Sequence, residues 1–301
     1  HLYDYYAGFS PTFASELLRS LPDRASTVVL DPWNGAGTTT EAAARLGRRA
    51  IGIDLNPAMR FVALAKFACP KDGPKVKAAI ADGLRRARML RGKPLGVFVE
   101  PLTAWFEPRT ASWIRALASV VGLHESGGAA TGEVSPATGL YVAILFRLAS
   151  RLTERATTSN PTWTKLAGDQ VELEFGDLEA ALHAEAEQVL SLNAKRKPPD
   201  YDLNRHVCII GNSQHLPVRS SAIDTVLTSP PYCTRIDYAV ATARELAVLG
   251  LGERSGFAAL RSALMGTTTV PRKAVPTHRY WGSTCTGFLD ALRKHESKAS
   301  A

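Results

Sequence analysis

Four short runs rich in β-branched residues stand out along the chain: S-T-V-V-L-D ending at Asp31, A-I-G-I-D from Ala50 to Asp54, H-V-C-I-I from His206, and A-I-D-T-V-L from Ala222. Each is too short for a helix and stops at a polar or glycine-rich turn, so each reads as a strand. Between the first two lies T-T-T-E-A-A-A-R-L-G, a helix closed by Gly47. Together they form a βαβ unit with a glycine turn at the end of its first strand. An earlier helix is predicted with Ser10 as its cap and Pro11 as its first residue. From Pro70 to Lys197 the text becomes Ala-, Arg- and Glu-rich and helical, broken by Gly/Ser/Thr-rich loops. Such a stretch far exceeds ordinary connections and reads as an insertion between the second and third strands. After the fourth strand, I-D-Y-A-V-A-T-A-R-E-L-A-V-L-G-L reads as one helix from Ile236 to Leu251, followed by loop and a polar tail. No later run is β-branched enough for a strand, so the expected sheet has four parallel strands, near Val28, Ile51, Val207 and Val226. Its edge beside the fourth strand is left unfinished.

The strand ends carry the chemistry, because open α/β sheets bind ligands past the carboxyl ends of their strands. Asp31 ends the first, and Gly35 and Gly37 in D-P-W-N-G-A-G-T-T-T let backbone pass close to a ligand. Thr38, Thr39 and Thr40 then open a helix whose N-terminus favours anionic groups. No lysine follows the second glycine, so this is not a P-loop. Asp54 ends the second strand, where a carboxylate accepts from ribose hydroxyls; taken alone it could equally cap a helix opening at Asn56-Pro57. The fourth strand runs into Thr228-Ser229-Pro230-Pro231-Tyr232, whose prolines end it and fix a rigid turn. An exocyclic amino group on a base is a poor nucleophile, since its lone pair is delocalised into the ring. Ser229 and the Pro230 carbonyl offer acceptors that draw it out of conjugation, and Tyr232 offers a ring on which a flipped base stacks.

Composition changes this picture little. The chain is 45% hydrophobic over 301 residues, enough to bury a sizeable core, and no membrane span or signal peptide can be read, so a cytoplasmic protein is expected. Cys69, Cys208, Cys233 and Cys285 stand apart without metal-ligand spacing and read as reduced thiols. A formal charge of +8 favours a polyanionic partner. Arg85, Arg86, Arg88 and Arg91 form one basic cluster that reads either as a solvated helix face or as a phosphate grip; Arg272, Lys273, Arg279, Tyr280 and Trp281 form another, interleaved with aromatics. Ser159-Asn160-Pro161-Thr162-Trp163 imitates the tetrapeptide but follows no strand.

The strand-end motifs resemble the S-adenosylmethionine-dependent amino-methyltransferases that modify DNA. Asp31 to Thr39 is similar to their cofactor motif D-P-F-x-G-S-G-T-T, I-G-I-D-L-N-P to their ribose-binding strand end, and G-N-S-Q-H-L-P to the motif before catalysis. Ser229 to Tyr232 matches their [DNS]-P-P-[YFW], and Y-Y-A-G-F-S-P is similar to the segment that packs on the methionine part of the cofactor. The resemblance implies a Rossmann-like α/β fold, S-adenosylmethionine as cofactor, and a DNA base flipped from the duplex as substrate, within DNA methylation or restriction-modification. It implies cofactor contacts from Tyr6, Phe9, Ser10, Asp31, Trp33, Gly35, Gly37, Thr38, Thr39, Asp54, Asn212 and Ser213, and catalysis by Ser229, Pro230, Pro231 and Tyr232. Ser229 is closer to the cytosine-N4 than to the adenine-N6 members. The expected division is a cofactor-binding first half over 1–69, a helical insertion for target recognition over 70–200, and a catalytic part over 201–301. An RNA guanine-N2 methyltransferase and a catalytically silent cofactor- or DNA-binding subunit are the alternatives. The unfinished sheet edge calls for further residues or a second polypeptide.

Overall fold

A computed structural model describes residues 2–3, 8–22, 27–90, 100–123, 134–153, 170–196, 206–232, 236–252, 256–265 and 279–294. They fall in two units, His1–Thr268 and Thr269–Ala301. The first holds four strands, β1 (Val28–Asp31), β2 (Arg49–Asp54), β3 (His206–Ile210) and β4 (Thr225–Val226), at the expected places. All pair in parallel, in the order β3-β2-β1-β4. Leu30 lies beside Ile51 on one side and Val226 on the other, and Ile51 beside Val207. The chain steps outward from β1 to β3 and then returns to the far side of β1, so a crevice opens where the order reverses.

Local chemistry explains the helices. Ser10 caps α1 (Pro11–Ser20), accepting from the Phe13 amide at 3.3 Å. Gly37, at φ +78°, caps α2 (Thr38–Arg45), and Gly47, at φ +67°, follows its end. A Cβ on Gly37 would stand 2.8 Å from the Ala63 Cβ, so glycine there lets α2 approach α3 (Pro57–Ala65). Asn56 caps α3, with Pro57 as its first residue. Between α3 and β3 the described elements are helical, α4 (Gly73–Met89), α5 (Pro108–Ser119), α6 (Pro136–Leu152) and α7 (Phe175–Ala194), with two 3-10 turns and one bridge between Phe106 and Val171.

The expected single helix from Ile236 is corrected to two, α8 (Tyr238–Ala241) and α9 (Ala243–Val248). Thr242 breaks it: its φ and ψ are −115° and 22°, and its hydroxyl turns back to the Tyr238 carbonyl at 2.8 Å. The expected loop and polar tail is likewise corrected, since α10 (Phe257–Ala263) forms there, as does α11 (Gly282–Arg293) in the second unit.

Ala14, Leu18, Val29, Ala42, Ala43 and Ala50 join α1 and α2 to the sheet. A larger core gathers α3 to α7 with α9, around residues such as Phe61, Leu117, Tyr141, Phe146, Leu178 and Leu246. Arg115 of α5 is 2% exposed and fastens α9 to this core. It pairs with Glu100 at 2.8 Å and donates to the carbonyls of Leu123, Ala247 and Val248. With the second Glu100 contact, all five guanidinium donors are used.

Candidate active site

The crevice between β1 and β4 opens into a cleft walled by Phe9, Trp33, Gly35, Ala36, Thr38, Asp54, Leu55, Met59, Asn212, Ser213 and the whole run Ser229 to Tyr232. Residues separated by most of the chain meet there because every strand ends on the same side. Asp54 holds the turn together: one carboxylate oxygen accepts from the Gly35 amide at 2.8 Å and the other from the Asn56 amide at 2.8 Å. It therefore braces both the glycine turn and the start of α3, and each oxygen keeps a lone pair for a ligand. Removal from water pushes its carboxyl up to about 6, with the neighbouring Asp31 charge adding to the rise and the two amides opposing it.

Asp31, Gly37 and Thr39 stand outside the lining of the cleft. Asp31 is 1% exposed and accepts from the Trp33 amide at 3.1 Å and from the Thr228 hydroxyl at 2.6 Å. It ties the end of β1 to the residue before the tetrapeptide, and burial raises its pKa against those hydrogen bonds. Ser10 borders a neighbouring cavity, shared with Glu41, Lys66 and Arg244. Tyr6 and Arg91 lie outside the described residues, as do Cys233, Ser159 to Trp163, Arg272 and Lys273, and the Arg279 side chain. Asn212 lines the cleft and accepts from the Gln214 amide at 2.9 Å. The described arginines of the basic cluster are held by acids on the helical surface. Arg85 and Arg86 both bind Asp82; Arg88 meets both Glu179 oxygens at 2.8 Å and lies over the Phe175 ring.

Sequence reasoning missed several contributors. Asn34 accepts from Thr40 at 3.1 Å and fills the space above Gly52, where a Cβ would lie 2.4 Å from its Cγ. Ala263, Leu264 and Met265 at the end of α10 supply part of the wall, from a stretch read as loop. Thr228 and Tyr238 also escaped; only the adjacency of Thr228 to Ser229 signalled the first.

A parallel sheet with a glycine turn, a strand-end carboxylate and a proline-rigid loop around its switch point is the Rossmann-like arrangement in which open α/β sheets place their ligand crevice. Residues 5–64 match the model of a family described as DNA methylase, which supports the DNA amino-methyltransferase resemblance through the segment bearing that turn and Asp54. No curated protein and no solved structure matches the chain. No helix among the described residues is long and apolar enough to cross a membrane.

Proposed function

We propose that the protein transfers a methyl group from S-adenosylmethionine to an exocyclic amino group of a DNA base, cytosine N4 in preference to adenine N6. The observation that carries this reading is the convergence of Gly35, Asp54 and Ser229 to Tyr232 on one cleft. The lining suits an adenosine: Asp54 offers acceptors to vicinal hydroxyls, while Phe9, Trp33 and Leu55 offer apolar walls and Asn212 an amide. When bound, the donor supplies an electrophilic methyl group on a sulfonium.

The remaining work belongs to the chain. Ser229 Oγ and the Pro230 carbonyl accept the two amino hydrogens, turning the nitrogen lone pair out of the ring and toward the methyl group. Tyr232, 60% exposed, stacks on the incoming base. The proton that the amino group sheds on methylation would pass to solvent water at the open mouth, where Pro230 is exposed. Serine at position 229 is the ground for preferring cytosine.

The outer edge of β4 is the line along which further residues or a second polypeptide would complete the sheet, since that strand pairs only with β1 among the described residues. Arg85, Arg86 and Arg88 keep a phosphate-binding role in this reading only by leaving their carboxylates. Incubation with methyl-labelled S-adenosylmethionine and separate pools of unmethylated duplex DNA and RNA tests the reading, with calorimetry of cofactor binding. Binding and label in DNA are expected. Label in RNA alone, or absence of binding, overturns it.

A further inference from the structure

The tetrapeptide is rigid in its prolines but poorly anchored at its ring. Among the described residues, Ser229 to Tyr232 make one hydrogen bond to the rest of the protein: the Tyr232 amide donates to the phenol oxygen of Tyr238 at 3.0 Å. Tyr238 opens α8 and lines the cleft. Its helix is fixed from two sides. Asp237 caps it, accepting from the Val240 amide at 3.1 Å, and is clamped by Arg261 of α10 at 2.7 Å. On the other side, the Tyr238 carbonyl accepts from the Thr242 hydroxyl at 2.8 Å, and that hydroxyl accepts from the Asn56 side-chain amide at 2.8 Å. The Asn56 backbone amide donates in turn to Asp54. Hydrogen bonds joined through the bodies of Asn56 and Tyr238 therefore link the Asp54 carboxylate to the tetrapeptide loop.

We propose that Tyr238 is a positioning residue for methyl transfer. It touches neither reacting atom; it acts through the Tyr232 amide, holding the stacking ring at the angle and depth where the amino nitrogen meets the methyl group. The line through Thr242 and Asn56 makes that position answer to the strand end that holds the cofactor. This role rests on the methyl-transfer reading above. It follows from geometry: an aromatic that is mostly exposed and bonded at a single backbone atom swings about that atom when the bond is removed, and a reacting pair misplaced by about 1 Å loses rate steeply.

The test is Tyr238→Phe, which keeps the ring and its packing and removes only the phenol oxygen. Hydrogen exchange read at the Tyr232 amide is expected to speed up about tenfold, the loss of one net hydrogen bond. On unmethylated duplex genomic DNA with labelled S-adenosylmethionine, kcat is expected to fall at least about tenfold. The KM for S-adenosylmethionine and the melting temperature stay at wild-type values, a split that a merely structural tyrosine would not give. Unchanged Tyr232 exchange, unchanged kcat, or a loss confined to KM for the cofactor overturns the proposal. A wild-type protein that labels no DNA, while Tyr238→Phe still accelerates Tyr232 exchange, brings down the transfer reading and the positioning role with it. The hydrogen bond survives that outcome, so the two failures are told apart.

Discussion

Under the proposed function, Asp54 is asked to do two opposed things. Its ionised form is the better acceptor for ribose hydroxyls, yet burial raises its pKa from 3.8 to about 6. A carboxyl whose folded pKa lies above its unfolded value stabilises the fold below the unfolded value, and that contribution is lost as pH rises through the folded one. For the ligand-free protein this share of stability is therefore present below about pH 4 and gone above about pH 6. Cofactor affinity should run the other way, strengthening as Asp54 ionises between about pH 5 and about pH 7, as calorimetry across that range can check. Asp54→Asn should flatten the profile, and Asp54→Ala should cost about 1.5 to 3 kcal/mol of binding. Thr228→Val should lower the unfolding free energy by about 1 to 3 kcal/mol, measured by denaturant titration, because it leaves the buried Asp31 carboxyl one donor short. The strand-end placement of Asp31 and Asp54 and the glycine turn between β1 and α2 were legible in the sequence because each is local to a strand end. The partner of Asp31 was not, since Thr228 lies 197 residues away and a lone threonine carries no pattern.

The four strands were readable because short β-branched runs bounded by turns have one periodicity. The break between α8 and α9 was not, because Ile236 to Leu251 is apolar at helical spacing and the break sits at Thr242, a lone threonine whose hydroxyl meets Asn56, 186 residues away. The basic run on α4 was visible as charge, but the partner of Arg88, Glu179, sits on α7, brought there only by packing, while Arg85 and Arg86 pair with Asp82 on α4 itself. Those acids compete with any phosphate. Replacing Arg85, Arg86 and Arg88 with alanine should therefore flatten the salt dependence of DNA binding by less than the about 0.9 per contact that free cations give. Titrations across salt measure this, and the full drop for each residue would mean that phosphates displace the carboxylates. Arg115→Ala should be far more damaging to the fold, lowering stability by about 3 to 5 kcal/mol in a melt, since Glu100 and three carbonyls lose their donor together.

At the scale of the whole molecule, β4 is the least secured part of the sheet. It contributes two residues, is flanked by hydrogen bonds from Asp224 and Leu227 to β1, and leaves Val226 58% exposed. An apolar strand edge of this kind templates association, and a lysine blunts it. Val226→Lys should raise the soluble yield of the isolated chain, and light scattering should fall. Equal scattering from both proteins would mean that the edge is already covered.

The two halves of the cleft also differ in how far the chain must travel to make them. Gly35 and Asp54 are 19 residues apart, whereas Asp31 and Thr228, whose bond sets the tetrapeptide against β1, are 197 apart. Contacts between near neighbours close early in folding, and distant ones wait on the loss of a large loop's freedom. The side proposed to hold the cofactor should therefore assemble first, with the loop proposed to meet the base arriving late, and a ribosome-bound nascent chain should acquire affinity for S-adenosylhomocysteine, the demethylated form of the proposed cofactor, before residue 225 has left the exit tunnel.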